Sequence, residues 1–174
     1  LRAPDIFFTI LEKGKDKLVK LGEIANMSFG IKTGADSFFY LSKEQVKSKK
    51  IEKKFLTPIL VSSDQVKSFI TSSDDTDICL VTTDQPKSNI QETAFYKYII
   101  QGESEKFHGR KEDSIPKDRP SCKSHNPFWY SINVPKAPPI YWMEMRRERY
   151  FTLLNKAKLA ADHTFYGIYP KDNV

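Results

Sequence analysis

The chain has 174 residues, with 28 Lys and Arg against 22 Asp and Glu, and a formal net charge of +6 at pH 7. This length suits one domain with a hydrophobic core, and the positive excess favours a polyanionic partner without establishing one. No run of about 18 apolar residues occurs, which argues against a membrane-spanning helix, and two cysteines are too few for a disulfide framework and suit a reducing cytoplasm.

The first predicted element is a short helix over residues 4–13. Pro4 and Asp5 are typical of a first helical turn, where proline loses no hydrogen bond and a carboxylate meets the positive end of the helix dipole. Gly14 is typical of the residue that follows a helix. The apolar residues within this segment recur at helical spacing, which predicts one apolar stripe.

A β-hairpin is predicted next. Residues 18–31 and 37–41 have strand-like composition and flank a loop that contains Gly30, Lys32 and Gly34. Glycine adopts positive φ without a steric penalty, so it suits a tight turn. It also lets backbone amides come close to a phosphate group, to which a lysine would add charge.

A lysine-rich segment follows, residues 42–55. Ser42 and Gln45 have the spacing of a capping box, and the lysines are interpreted as a solvated helix or loop face. The apolar run that follows contains Pro58, and this proline argues against a central strand because it cannot donate a hydrogen bond.

The rest of the chain mixes strands and helices without strict alternation. Residues 88–107 are predicted to form a helix that ends near Gly102, and residues 108–126 a long loop. The predicted strands are 77–83, 127–132, 139–145 and the segments "RYFTLLN" and "HTFYGIYP". This pattern predicts an α+β fold, a mixed, mostly antiparallel twisted sheet or partial barrel with a few packed helices and long loops, over one domain of residues 1–174.

An arginine cluster lies between two of the predicted strands. Arg146, Arg147 and Arg149 occupy three of four consecutive positions, with aromatic residues directly after them. The arginine side chain is a planar fork of donors that suits phosphate or the edge of guanine. A solvated turn with salt bridges to Glu144 and Glu148 is the alternative interpretation.

Two other kinds of chemistry have weaker support. Cys122 and His125 form a C-x-x-H pair, but a structural zinc site needs four ligands. The acidic pair at residues 74 and 75 could contribute to a divalent-ion site for a nuclease, although such pairs are common on protein surfaces.

The order of four segments resembles the C-terminal specificity domain of TaqI-like and related type II adenine-specific DNA methyltransferases. The first segment matches a G-x-x-T-G-x-[ND]-x-x-F pattern, the second a Phe-Leu-x-Pro element, the third an Arg…Trp-Tyr element and the fourth an F-Y-x-I-x-P element. The matching residues are Gly30, Thr33, Gly34, Asp36 and Phe39, then Phe55, Leu56 and Pro58, then Arg119, Trp129 and Tyr130, and finally Phe165, Tyr166, Ile168 and Pro170.

This resemblance implies a target recognition domain that binds double-stranded DNA and has no catalytic or metal-binding residue of its own. The chain begins with Leu1, so we expect it to be a fragment whose catalytic methyltransferase domain precedes it in the same chain. That domain would bind S-adenosylmethionine, and this fragment would bind no cofactor. The parent protein would be cytoplasmic, without a membrane partner. The expected DNA-binding residues are Lys32, Thr33, Asp36, Lys123, His125, Arg146, Arg147 and Arg149.

Two alternatives from other functional classes stay open. One is a fragment of a metal-dependent nuclease, which would cleave DNA in the presence of a divalent ion. The other is a protein-interaction module whose basic surface binds an acidic partner.

Overall fold

The computed structural model describes residues 3–144 and 152–171. The helices are α1 (Asp5–Lys13), α2 (Leu21–Ile24), α3 (Asp36–Phe39), α4 (Lys43–Lys49), α5 (Ala94–Ser104) and α6 (Pro120–Lys123). The strands are β1 (Ala25–Phe29), β2 (Tyr40–Ser42), β3 (Leu56–Leu60), β4 (Ile78–Val81), β5 (Ile140–Met143), β6 (Thr152–Leu154), β7 (Ala160–Ala161) and β8 (Phe165–Pro170). No helix within these two ranges is long and apolar enough to cross a membrane.

The strands form two four-stranded sheets. Sheet I has the order β1-β8-β5-β6 and is antiparallel throughout. Sheet II has the order β2-β4-β3-β7, with one parallel pair between β3 and β7. Within the described residues neither sheet closes into a barrel, and the α+β class is confirmed.

Helices α1 and α4 begin where the sequence predicts them to begin. Helix α1 begins after Pro4 and is followed by Gly14, as predicted. At α4 the Ser42 hydroxyl accepts a hydrogen bond from the Gln45 backbone, and the Gln45 side chain accepts one from the Ser42 backbone, so the predicted capping box is present. These two helix starts depend on neighbouring residues alone.

The predicted hairpin around the glycine-rich loop is wrong. A helical turn, α2, precedes β1, and α3 occupies most of the segment that was predicted to be the returning strand. Strand β1 pairs with β8 in sheet I, whereas β2 pairs with β4 in sheet II. The loop therefore joins two sheets, and the aromatic residues that follow it in α3, Phe38 and Phe39, are fully buried in a cluster with sheet II and α5.

Gly30 lies where the two sheets meet. Its amide donates to the carbonyl of Phe165 at 3.0 Å, and the amide of Ile31 donates to the carbonyl of Ala161 at 2.9 Å. A Cβ atom on Gly30 would lie 1.9 Å from the carbonyl oxygen of Asp162, which no side chain could tolerate. The glycine is thus required by contact between two backbones of the same chain.

Gly34 has a different requirement. Its φ is +69°, a region that side chains rarely adopt, and a Cβ atom there would lie 1.9 Å from the Ser121 hydroxyl. Both loop glycines therefore have structural roles, and neither needs a phosphate group to explain it.

Pro58 lies in a central strand, so the prediction that it would exclude one is wrong. Strand β3 pairs with β4 through residues 56–58, but its pairing with β7 involves only Ile59 and Leu60. The position of Pro58 is therefore paired on one side only, which makes the missing N–H tolerable.

Three further expectations are corrected. Residues 127–132 contain no strand, because they run as turns and extended loop held by hydrogen bonds to residues 82–85. Gly102 lies inside α5 rather than at its end. The predicted long loop contains α6, and Arg119 at its start donates to the carbonyls of Phe107 and His108.

Two apolar clusters share β3. Ile59 belongs to a cluster between sheet II, α3 and α5, whereas Leu60 belongs to a cluster on the inner face of sheet I. Successive strand residues point to opposite faces, so one strand contributes to both clusters. This arrangement places the loops that follow β1 and β4 side by side.

Candidate functional site

A cleft of about 1040 Å³ lies where the two sheets meet. It brings together segments that are distant in the sequence: residues 28–32, 54–57, 82–85, 124–127 and 131–135. Two of the residues expected from the sequence to bind DNA, Lys32 and His125, line it.

Two lysines supply positive charge to this cleft. The Lys32 ammonium lies 4.8 Å from the centre of the Phe29 ring, and that of Lys54 lies 4.9 Å from the centre of the Phe55 ring. Both lysines are exposed, and neither forms a salt bridge within the described residues. The cleft wall thus holds two available cations, each positioned over an aromatic face.

Hydrogen bonds fix residues 82–85, which also line the cleft. The hydroxyl of buried Tyr130 donates to the carbonyl of Gln85 at 3.1 Å, and the Ser131 hydroxyl donates to the carbonyl of Thr83 at 2.8 Å. The Ile132 amide donates to the Thr82 hydroxyl at 2.7 Å. Residues 82–85 are therefore tied to residues 130–132 by three hydrogen bonds.

His125 is held in one orientation. Its Nδ1 lies 2.7 Å from the carbonyl oxygen of Trp129, and because a carbonyl only accepts, the hydrogen of neutral His125 lies on Nδ1. Nε2 is then the acceptor nitrogen. The ring also contacts Phe39, with 5.7 Å between ring centres.

The C-x-x-H pair does not form a metal site with its neighbours. Cys122 is fully buried and its thiol lies 3.6 Å from the carbonyl oxygen of Thr33. Burial raises the pKa of Cys122 to about 11, so it is a neutral thiol at pH 7. No group of three or more His, Cys, Asp or Glu side chains that could hold a metal ion occurs in residues 3–144 and 152–171.

Thr33 and Asp36 form a local contact at the start of α3. Thr33 is buried, its hydroxyl donates to the Asp36 carboxylate, and it accepts from the Ala35 amide at 3.1 Å. Neither residue lines the cleft. This contact explains their spacing in the glycine-rich loop without any ligand.

Of the four remaining expected residues, the structure describes Lys123 alone. Lys123 is exposed on α6, 3.9 Å from the Asp118 carboxylate, and does not line the cleft. Arg146, Arg147 and Arg149 lie outside the described residues. The residues at the two borders of that gap, Glu144 and Thr152, are described.

Several cleft residues were not predicted from the sequence. Lys54 was interpreted as part of a solvated lysine run, and Gln85 and Asn133 belong to no motif. Only the fold brings these segments together, so a pattern of local spacing contains no signal for them.

Residues 8–174 match the family model described as the C-terminal domain of the type II methyltransferase M.Eco57I. No curated protein matches the chain. The family match covers nearly the whole sequence and confirms the resemblance to the C-terminal domains of type II restriction–modification methyltransferases. The chain therefore belongs to the family of the C-terminal domain of the type II methyltransferase M.Eco57I.

Proposed function

We propose that this chain is the target recognition domain of an adenine-N6 DNA methyltransferase in a restriction–modification system, and that it binds double-stranded DNA in a sequence-specific manner. The catalytic domain precedes it in the same polypeptide and binds S-adenosylmethionine, and the protein acts in the cytoplasm. Membership of a type II methyltransferase family supports the context of this proposal.

The observation that carries the DNA-binding proposal is the pair of cleft lysines that form no salt bridge with any described residue. Lys32 follows β1 of sheet I and Lys54 precedes β3 of sheet II, yet both lie on the cleft wall. Phosphate contacts from lysine dominate the affinity of proteins for DNA, and the net charge of +6 favours the same partner.

The register of sheet I supports a contribution from the arginine cluster. Phe29 is opposite Tyr166, Tyr166 is opposite Trp142, and Trp142 is opposite Thr152. The end of the β5–β6 pair from which the arginine segment departs is therefore the end at which β1 leads into the cleft. We propose that the arginine cluster contributes to base recognition, with Arg147 reading a guanine edge.

Replacing Lys32 tests the phosphate contact. Lys32→Ala should weaken binding to every duplex and reduce the slope of log affinity against log salt concentration by about one unit. Fluorescence anisotropy with a labelled duplex over a salt series measures both effects. Lys47→Ala on α4, an exposed lysine that does not line the cleft, is the matched control and should leave the slope unchanged.

An unchanged slope in Lys32→Ala would remove this lysine from the interface. Absence of duplex binding by the unaltered chain even at low salt would contradict the proposed function and favour the protein-interaction alternative. Cleavage of the duplex on addition of a divalent ion would favour the nuclease alternative.

Replacing Arg147 tests base recognition. Arg147→Ala should cost about 1–3 kcal/mol on the preferred duplex and relax specificity at one base pair. Competition binding with duplexes that vary one pair at a time measures this change, with Arg110→Ala on an exposed loop as the control. An equal loss for all duplexes would contradict base recognition by this residue.

A further inference from the structure

The shape of the cleft is unsuited to reading base edges inside an intact duplex. Base edges lie in grooves, which admit a protruding helix or a two-stranded ribbon. The cleft is instead concave, and its volume of about 1040 Å³ is close to that of pockets which enclose small molecules. Proteins that bind a nucleotide outside the duplex hold it in a concave site rather than on a protruding element.

We propose that this cleft binds a single unpaired nucleotide of the DNA, with its phosphate beside Lys32 and Lys54 and its base edge against Gln85 and Asn133. The proposal rests on the proposed function and specifies the form of DNA that the site takes.

We place the phosphate of the nucleotide beside Lys32 and Lys54 because of the charges of the residues that line the cleft. Among the residues that line the cleft, Lys32 and Lys54 are the lysines and Asp84 is the carboxylate. The ammonium groups lie over Phe29 and Phe55 rather than against a carboxylate, so their charge is available to a ligand. A phosphate group is the anion that DNA offers to such a pair.

We place the base beside two of the three carboxamides that line the cleft, which are Gln85, Asn126 and Asn133. Gln85 and Asn133 are exposed in the cleft, and their side-chain amides have no hydrogen-bond partner within the described residues. A carboxamide places a donor beside an acceptor, which matches the adjacent acceptor and donor on the edge of a base.

The two carboxamides project from fixed backbone. The Gln85 carbonyl accepts from Tyr130, and the chain just before Asn133 is tied to Thr82 through the Ile132 amide. A site whose backbone is already ordered loses less entropy when a ligand binds. Free side-chain amides on rigid backbone are what a recognition site requires.

The test compares three duplexes of the same flanking sequence by fluorescence anisotropy. One is fully paired, one contains a single bulged adenosine, and one contains a bulged abasic sugar-phosphate. The base-bearing bulge should bind about tenfold or more tightly than the paired duplex, because its nucleotide does not have to be unstacked. The abasic bulge has the same backbone irregularity and should lack most of this gain.

A variant locates the base contact. Gln85→Ala combined with Asn133→Ala should abolish the gain of the base-bearing bulge over the paired duplex. Both side chains are exposed, so the fold should be retained, and circular dichroism checks this. Asn89→Ala, an exposed carboxamide outside the cleft, is the control and should keep the gain.

Equal affinity for the base-bearing and abasic bulges would overturn this inference in the unaltered chain, without reference to any variant. If salt-dependent binding to the paired duplex persists in that case, the proposed function stands. A chain that binds none of the three duplexes would overturn both. A gain that survives in the double variant would overturn the assignment to Gln85 and Asn133.

Discussion

Tyr98 and Tyr40 both have buried hydroxyl groups, which differ in whether they are paired. The Tyr98 hydroxyl donates to the carbonyl of Phe38 at 2.9 Å. The Tyr40 hydroxyl is buried and has no hydrogen-bond partner within the described residues. Burial, and secondarily the charges of Asp162 and Asp36, raise the pKa of Tyr40 far above its ordinary value, so it stays neutral at any pH used for binding.

These two hydroxyls should respond oppositely to replacement by phenylalanine. Tyr40→Phe removes a buried group without a partner and should raise the free energy of unfolding by about 1 kcal/mol. Tyr98→Phe leaves the Phe38 carbonyl unpaired and should lower it by about 1–3 kcal/mol. Urea denaturation at pH 7 measures both, and a loss of stability in both variants would contradict the unpaired state of Tyr40.

At the scale of single elements, Gly102 shows how tertiary packing outweighs helix propensity. It lies inside α5, and a Cβ atom there would lie 2.5 Å from a ring carbon of Phe38 and 2.7 Å from one of Trp129. Both rings belong to the core around α3 and α5. The glycine therefore makes room for aromatic packing.

Gly102→Ala should destabilise the protein although alanine is the better helix former. Overpacking costs about 1–3 kcal/mol, whereas the gain in helix propensity is at most about 1 kcal/mol. Gly22→Ala in α2 is the matched control, because no described atom beyond its own helix and chain neighbours lies within 4 Å of its added Cβ, and it should be neutral or slightly stabilising. Thermal unfolding of the two variants compares them, and a higher melting temperature for Gly102→Ala would refute the packing argument.

Elements with local signals could be predicted from the sequence. The capping box at Ser42, the proline and glycine around α1, and the apolar runs of β4, β5 and β8 all depend on neighbouring residues. The hairpin prediction failed because the partners of β1 and β2 lie far along the chain, in β8 and β4. Composition indicates that a strand exists but does not identify its partner.

The residues of the candidate site fall into the same two groups, those with a local sequence signal and those without one. Lys32 and His125 were predicted because each lies in a segment with a distinctive pattern, and the fold brings both to the cleft. Thr33 and Asp36 have that pattern for a structural reason, the start of α3. Lys54, Gln85 and Asn133 were missed because their neighbours in space are not their neighbours in sequence.

At the scale of the whole molecule, Asp162 lies at the junction of the two sheets. Its amide donates to the carbonyl of Leu60 in sheet II, and its residue pairs with Ile31 as the chain leaves sheet I. The side chain is buried, accepts two hydrogen bonds from Thr164 and lies 3.4 Å from His163. Burial raises the pKa of Asp162, because its effect exceeds that of these contacts.

This shift predicts a pH-dependent gain from Asp162→Asn. A carboxyl group whose pKa is higher in the folded than in the unfolded chain favours folding when protonated, and this contribution is lost as pH rises through the folded pKa. Asparagine stays neutral, so the variant should gain stability relative to the unaltered chain between pH 3 and pH 7. Denaturation over this range measures the difference, with exposed Asp118→Asn as the control. A difference that does not change with pH would contradict the raised pKa.

The position of β8 has a consequence for biosynthesis. This strand lies between β1 and β5 in sheet I, and β7 just before it completes sheet II. During translation, β1 has no partner in its sheet until residues 165–170 have left the ribosome. Pairing across such a distance is slow and leaves apolar strands exposed in the nascent chain. We therefore expect sheet I to form only after residues 165–170 have emerged from the ribosome. The yield of this domain in cells should then depend on chaperones that bind unpaired strands.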